Sequence, residues 1–561
     1  MIKSNTDMKK FFFLVFFLAT SLLAPADIVE IDGINYSFNS KFATVVSGSY
    51  EGDVVIPASV TYDGVEYDVR EIDNAFGKKT GITSLTIPNS IKRINDWFFS
   101  SFYGNSMTAV YITDLAAWCN IEFVGYQSNP LMFANHLYVG DEEVTDLVIP
   151  DGVTEISNWA FSGCLGLLSL TVGKGVTTIG QGAFWSCSKL TSATIGGNVT
   201  SIGFNAFYNC QGLKSVKFLP CEANTENGTS SSANDMTMIR EEAFYGCKNL
   251  TSIYFGNRPL RFSKDAYKGC DALTSVHITD ISSWCKSSIY NISDGPLMRA
   301  HHLYYGEEEI NDLVIPDDVT SISDLVFAGC HNLSSVTIGD NVKEIGQDAF
   351  HVCGMNSVII GNGNTNIGSN AFSQCSSLKD VTIGDGADIG IYAFLSCSNL
   401  TTVTIGSGIE TIGMKAFQNC TNLTDFYSHS EDVPFVGDDA FENAYIEYAT
   451  LHVPASALEA YKEAEPWKYF GKIVPMGQSE PDGIHDVTTA SSQPVVTKSI
   501  DGTLIIQCPI NDCNIKLFDM AGRLLVSGRL INGVGRINTL LQKGDIAIVK
   551  IGEKSFKTLV R

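Results

Sequence analysis

Tryptophan, cysteine, histidine and aspartate recur together twice in this chain. TDLAAWCNIEF…NPLMFANHLYVGDEEVTDLVIP runs from Thr113 to Pro150, and TDISSWCKSSI…GPLMRAHHLYYGEEEINDLVIP from Thr279 to Pro316. The two align at a constant offset of 166 residues, setting Trp118 on Trp284, Cys119 on Cys285, His136 on His302 and Asp146 on Asp312. Cys, His and carboxylate side chains are zinc ligands, and a thiol near an imidazole is a nucleophile with its base. The plainer reading is structural: Trp and Leu pack while His caps a turn. Each cassette then adds a helix-like DxxxWC piece and a β-hairpin, HLYVGDEE or HLYYGEEE, and the offset marks duplication of a whole block.

Fifteen cysteines offer more thiol chemistry. Ten of them (Cys164, Cys187, Cys210, Cys247, Cys270, Cys330, Cys353, Cys375, Cys397, Cys420) stand three residues after a Phe or Tyr. Such regular spacing excludes a zinc site, which needs converging close pairs such as CxxC. Adjacent strands lie about 4.8 Å apart, so bridges between neighbouring columns are geometrically conceivable. Buried free thiols acting as small hydrophobes are the favoured reading. Cys508 and Cys513 flank a turn near the C-terminus and either pair or stay reduced.

The chain contains no G-x-S-x-G elbow, P-loop, H-E-x-x-H or CxxC. None of the nine histidines recurs with a neighbouring Ser or Cys in a nucleophile's arrangement. The acidic runs Gly437-Asp438-Asp439 and Glu307-Glu308-Glu309 lack the spaced oxygen ligands of a calcium loop and read as solvated corners. The sequence thus points away from an enzyme and implies no metal or cofactor.

What positions these residues is a repeat. VTTIGQGAFWSCSKLTSATIG, from Val176 to Gly196, returns as VTSIGFNAFYNCQGLKSVKF from Val199, VKEIGQDAFHVC from Val342 and IETIGMKAFQNCTNLTDF from Ile409. A period of 22–24 residues is a solenoid, in which no unit buries its own apolar face and each needs the next stacked on it. Within one unit Val176, Ile179, Ala183, Phe184, Cys187, Leu190, Ala193 and Ile195 point inward, and alternation puts Thr194 outside. The AFWSC segment has room for at most one or two helical turns. Gly180, Gly196 and Gly197 supply corners.

The I-G-x-x-A-F-x-x-C-x-x-L-x-x-V-x-I unit resembles the leucine-rich repeats of the BspA-like family of bacterial cell-surface proteins. The resemblance spans roughly residues 30–475 and implies a β-rich α/β solenoid, a leucine-rich repeat stack with terminal caps. It also implies adhesion to host proteins or other bacteria, without fixing binding residues.

The remaining chain addresses and ends the stack. Met8-Lys9-Lys10 and FFFLVFFLATSLLA read as a secretory signal peptide over residues 1–26, with Ala24 and Ala26 at the cleavage end. No other long apolar stretch exists, so no transmembrane span is expected in the mature chain. Residues 27–70 read as an N-terminal β cap with turns at Gly33, Gly48, Gly52 and Gly64, and 71–475 as the solenoid carrying cassettes at 113–150 and 279–316. Its C-terminal cap covers 441–475, where a helix from Ser456 to about Glu463 presents Leu458 and Tyr461 on one face. A polar linker occupies 476–494. Residues 495–561 form a small β-sandwich, which through IKLFDMAGRLL, DIAIVKI and Lys557 resembles the sorting domain of the type IX secretion system in Bacteroidetes. Ala547 departs from that pattern, standing where an aromatic residue is usual. The resemblance implies secretion machinery as a partner and export to the outer cell surface.

The formal charge of −24 argues against nucleic acid and anionic lipid as partners. Binding residues are sought on the outer side of the repeated strand, where Thr86, Thr171, Thr194, Thr337, Thr382 and Thr404 form a ladder. The ladder breaks at Lys217, Tyr254 and His277, with Arg258, Arg261 and the polar 219–234 loop nearby. Exposed Tyr and Arg anchor interfaces. The leading expectation is a secreted adhesin binding a protein or glycan ligand on host or neighbouring cells. A surface scaffold without a ligand and a glycan-capture protein serving partner enzymes are the other readings.

Overall fold

A computed structural model describes residues 28–76, 81–95, 106–221 and 236–476, and beyond them the strands between 495 and 559. The expected leader, the stretch from 222 to 235, the expected linker from 477, and Cys508 and Cys513 lie outside the described residues.

Residues up to 476 form one unit and those from 477 another. In the first, each coil has three sides. Ser192–Ile195 shows the first side: Ala193 and Ile195 are buried while Ser192 and Thr194 are partly exposed, the alternation of a four-residue strand. The second side is a two-residue strand such as Ser201–Ile202. The third is a run of turns around Ala-Phe. It contains no α-helix, because residues on both sides of Ala-Phe-x take left-handed backbone angles: Asn205 (φ 55°) and Asn209 (φ 59°) around Phe207, Asp348 (φ 53°) and Val352 (φ 56°) around Phe350. Backbone bonds tie this side to the next coil, as from Phe184 N to the Ala206 carbonyl at 2.8 Å.

The strands pair in parallel, coil upon coil, so each side becomes a ladder. Phe161, Phe184, Phe207, Phe244 and Tyr267 stack face to face down the centre, with planes within 10° and centroids 5.1–5.4 Å apart. Phe327, Phe350, Phe372, Phe394 and Phe417 repeat the column at 4.9–5.3 Å. Beside it run the cysteines, all free thiols among the described residues. They do more than fill space. The thiol of Cys210 donates to the Phe184 carbonyl one coil back at 3.0 Å, and Cys187, Cys247, Cys270, Cys353, Cys375, Cys397 and Cys420 repeat the bond at 3.1–3.3 Å. Corner glycines permit the close stacking: a Cβ on Gly180 would sit 2.5 Å from Asn158 N.

The cassettes divide the stack into three blocks. The long-strand side holds a five-stranded sheet ending at Glu142–Glu143, an eight-stranded sheet from Asp146–Ile149 to Glu308–Glu309, and a second eight-stranded sheet from Asp312–Val314 to Lys472–Pro475. In both cassettes an aspartate, Asp114 or Asp280, caps a short helix that buries Trp and Cys, Leu115–Cys119 or Ile281–Cys285. The Trp118 indole N–H reaches the Ala160 carbonyl at 2.9 Å and that of Trp284 the Val326 carbonyl at 3.0 Å, each bonding into the block that follows. The expected capping role of His136 and His302 falls one residue earlier, on left-handed Asn135 and His301 at the ends of Leu131–Ala134 and Leu297–Ala300. His136 and His302 instead cross the hairpin, Nδ1 to Glu143 Oε1 at 2.5 Å and to Glu309 Oε1 at 2.6 Å.

At the N-terminal end, Ile28–Ile31 and Ile34–Phe38 form a hairpin. Gly33, Gly52 and Gly64 are left-handed, whereas Gly48 is required by Tyr50, whose ring would lie 2.6 Å from a Cβ there. At the other end the helix Leu458–Glu463 buries Tyr461, and Trp467 packs against Phe426 and Phe441 of the last coil. The second unit contains two antiparallel sheets. One is Val495–Lys498, Leu504–Gln507 and Val534–Ile537; the other is Leu524–Arg529, Asn514–Phe518, Ile546–Ile551 and Lys554–Leu559.

Candidate interaction surface

Strand register gathers the outward side chains of the long-strand side into rows. In the second block the row runs Val148, Thr171, Thr194, Lys217, Tyr254, His277, Tyr304 and Glu309. Lys217 is exposed and Tyr254 half-buried, but His277 is only 7% exposed. Its ring is held between Tyr254 and Tyr304, with centroids 4.1 and 4.6 Å away. Nδ1 lies 2.7 Å from the Gly306 carbonyl and Nε2 3.0 Å from Ser275 Oγ. His277 therefore supports the row from within rather than projecting to a partner.

The two arginines do not share this face. Arg261 is exposed on the strand Leu260–Phe262, which belongs to the short-strand side. Arg258 stands at the corner between the sides, half-buried, its Nη2 3.1 Å from Cys221 Sγ. The turn from Gly256 to Pro259 carries the chain around that corner, so proximity in sequence does not become a common surface. Of the expected five residues, Lys217, Tyr254 and His277 are brought together.

Tyr304 was the missing member. Beside it, Thr274, Ser275, His277, His302, Tyr304 and Glu307 line an open hollow of about 360 Å³. Burial, with Glu309 adding to it, raises the Tyr304 phenol above its ordinary value, so it stays a neutral donor. Glu307 Oε2 lies 4.0 Å from His277 Nδ1.

The aromatic ending is not confined to one block. The first block's row is Val55, Thr86, Tyr111, Tyr138 and Glu143, with Tyr111 and Tyr138 stacked at 4.8 Å. The third runs Val314, Thr337, Ile359, Thr382, Thr404, Tyr427, His452 and Val474, with His452 stacked on Tyr427 at 4.1 Å. All three begin with an exposed valine and carry stacked rings just before their last member. Only the second adds a cation, Lys217, beside its rings.

The cassette residues form no reactive centre. Burial, with Asp114 or Asp280 adding to it, pushes the Cys119 and Cys285 thiols up to about 12, which keeps them protonated. Among the described residues no group of three or more His, Cys, Asp or Glu is placed to hold a metal ion. No helix among them is long and apolar enough to cross a membrane.

No curated protein matches the chain. Among solved structures it is similar to a leucine rich cell surface protein of Faecalibacterium prausnitzii, at 24% identity over 72% of this chain and 95% of that one, with a TM-score of 0.34. It is also similar to a leucine-rich repeat protein of Bacteroides ovatus, at 22% identity over 80% and 99%, with a TM-score of 0.39. The pneumococcal vaccine antigen PcpA matches at 15% identity over 80% and 98%, with a TM-score of 0.34. The BspA type leucine rich repeat region matches residues 70–119, 131–231, 221–294, 300–424 and 355–462, in six copies. With most of its length accounted for by that repeat, the chain belongs to the family of BspA type leucine-rich repeat proteins.

Proposed function

We propose that this chain is a surface-displayed adhesin that engages a protein partner through the long-strand side of its second block. The observation that carries the reading is the row Lys217, Tyr254, His277, Tyr304, in which a cation stands beside stacked rings at the edge of a hollow. A rigid row of Tyr with a neighbouring cation supplies contact area at low entropic cost. Lys217 and Tyr254 are the contacting residues, His277 a support, and Tyr304 an addition. Arg258 and Arg261 flank the partner only if it wraps the corner, and they are secondary here.

Display at the surface completes the proposal. Its support is the leader-like stretch from Met8 to Ala26 and the C-terminal module, whose IKLFDMAGRLL and DIAIVKI segments resemble a type IX sorting domain. The test is binding of the full chain to an array of extracellular-matrix proteins, followed by titration of Lys217→Glu and Tyr254→Ala variants. The expected outcome is saturable binding that weakens at least about tenfold in both variants. Saturable binding that neither substitution alters removes this face from the proposal, and no binding by folded protein removes the adhesin reading.

A further inference from the structure

A second row of aromatic rings climbs the turn side of the same block. Trp159, Trp185, Tyr208 and Tyr245 stand half-buried on successive coils, and Tyr126 of the first cassette, 41% exposed, joins them below. Ring centroids are 5.4 Å apart for Tyr126–Trp185, 5.5 Å for Trp159–Trp185, 5.9 Å for Trp185–Tyr208 and 4.9 Å for Tyr208–Tyr245. This side faces away from the strand rows and takes no part in the site above.

The duplication provides an internal control. At an offset of 166, Ile292 of the second cassette and Leu325 and His351 of the third block stand in the places of Tyr126, Trp159 and Trp185. Directly after the next two column phenylalanines it has Ser373 and Leu395, where the second block has Tyr208 and Tyr245. Both blocks nevertheless close around the same phenylalanine column, so the coil does not need rings on its outside. Gly182 carries a second mark of purpose. A Cβ there would fall 1.9 Å from the Trp159 ring, so the indole occupies the space that a side chain would take. The third block, lacking the tryptophan, has Asp348 at that place.

We infer that this row is a binding track for a neutral polysaccharide strand. The track is one ring wide and advances one ring per coil, which suits a linear polymer better than a protein interface of about 800 Å² per partner. Tyr208 and Tyr245 stack on each other, with planes 4° apart and Lys268 over Tyr245, so the rings that meet the C–H surfaces of pyranose units are Tyr126, Trp159 and Trp185, whose planes are tilted 52–63° to one another. One coil rises by about the length of one sugar in an extended chain. Charge disfavours an anionic polymer. The nearby cations, Arg240 at 5.5 Å over Phe204 and Lys268 at 5.9 Å over Tyr245, are already engaged on rings. Amides stand alongside to meet hydroxyls: Asn205 donates to Glu242 at 2.8 Å, and Gln211 to Asn209 at 2.7 Å.

The experiment is retardation of the full chain in native gels containing laminarin, glucomannan or xyloglucan, with polygalacturonate as the anionic comparison. Trp159→Leu combined with Trp185→His installs the residues that the third block already carries, and its melting curve checks that the fold survives. Retardation in at least one neutral gel is expected, with affinity falling at least about tenfold in the double variant and unchanged in Tyr254→Ala. If the double variant melts lower, Tyr126→Ile, at the most exposed ring, is read instead and is expected to weaken retardation. No retardation in any neutral gel, retardation by polygalacturonate alone, or equal retardation of the variants overturns the inference. So does loss of matrix-protein binding in these variants with the sugars inert, which would give the track to a protein.

Discussion

His277 lies flat on Tyr254, with ring centroids 4.1 Å apart and planes 19° apart. His452 repeats the arrangement on Tyr427 in the third block, also at 4.1 Å. In the second block the imidazole is also bonded at both nitrogens and nearly sealed from water. His277→Ala is therefore expected to destabilise the second block by about 1–3 kcal/mol, through lost stacking and an unpartnered Gly306 carbonyl. Tyr254→Ala, at the half-buried edge, should cost less. Denaturation midpoints of the two variants compare them, and equal midpoints would contradict a supporting role for the histidine.

The cysteine ladder predicts a sharp contrast in thiol reactivity. Burial pushes the Cys375 and Cys420 thiols up to about 12, and every other column thiol is buried too. Among the described cysteines only Cys221 is partly accessible. Alkylation of native protein followed by peptide mapping should label Cys221 and spare the column, which reacts only after denaturation. Rapid native labelling of Cys210 would show that the column opens.

Val352 holds a left-handed backbone angle, φ 56°, that a β-branched residue adopts poorly. Other coils place Ser186, Asn209, Asn419 or a glycine there. The Val352 side chain is only half-buried, so little packing is lost on replacing it. Val352→Asn should raise stability by about 1 kcal/mol, seen as a higher melting temperature. A lower melting temperature would show that packing of this valine outweighs its strain.

Two histidines set a pH dependence. Burial, with His301 and His302 adding to it, holds the His331 imidazole below its ordinary value, and its ring stacks on His301 at 4.1 Å. Burial also lowers His351, against the opposing pull of Asp348 at 3.8 Å, while Ser373 Oγ meets its Nδ1 at 2.6 Å. A base with a lowered folded pKa binds its proton more weakly folded than unfolded. Stability is thus whole above about pH 6.5 and falls as the pH drops below that value. The melting temperature should decline from about pH 7 to pH 5, and less steeply in a His331→Asn, His351→Gln variant. Parallel curves would assign the decline to other groups.

The interior of the stack was legible in the sequence because every coil makes the same contacts. Phe184, Cys187, Leu190, Ala193 and Ile195 are inward by spacing alone, and all are buried. The two cassettes were legible as copies of each other. Tyr304 was harder to place, since its strand belongs to a hairpin, HLYYGEEE, in which the L-x-x-V-x-I spacing is lost. Arg261, expected near Tyr254, could not be given a side from the sequence for a related reason: Leu260–Phe262 falls where other coils have a two-residue strand, and no period tells which side it joins. The rings of the turn side were visible one at a time, at Trp185, Tyr208 and Tyr245. The left-handed residues on either side of Ala-Phe-x give these three positions the same setting on successive coils and so align them into a row.

The hairpins at Glu142–Glu143 and Glu308–Glu309 interrupt the long-strand ladder, and one block is stitched to the next by side chains such as Trp118 and Trp284 and by backbone bonds such as Ser157 N to the Cys119 carbonyl. In a stack whose coils hold only their neighbours, an opening travels like a run in knitted fabric. Antiparallel stops at two places act as hems. A cut or a tug that frays one end would be arrested at the next hem, and the remaining blocks would keep their shape and whatever they hold.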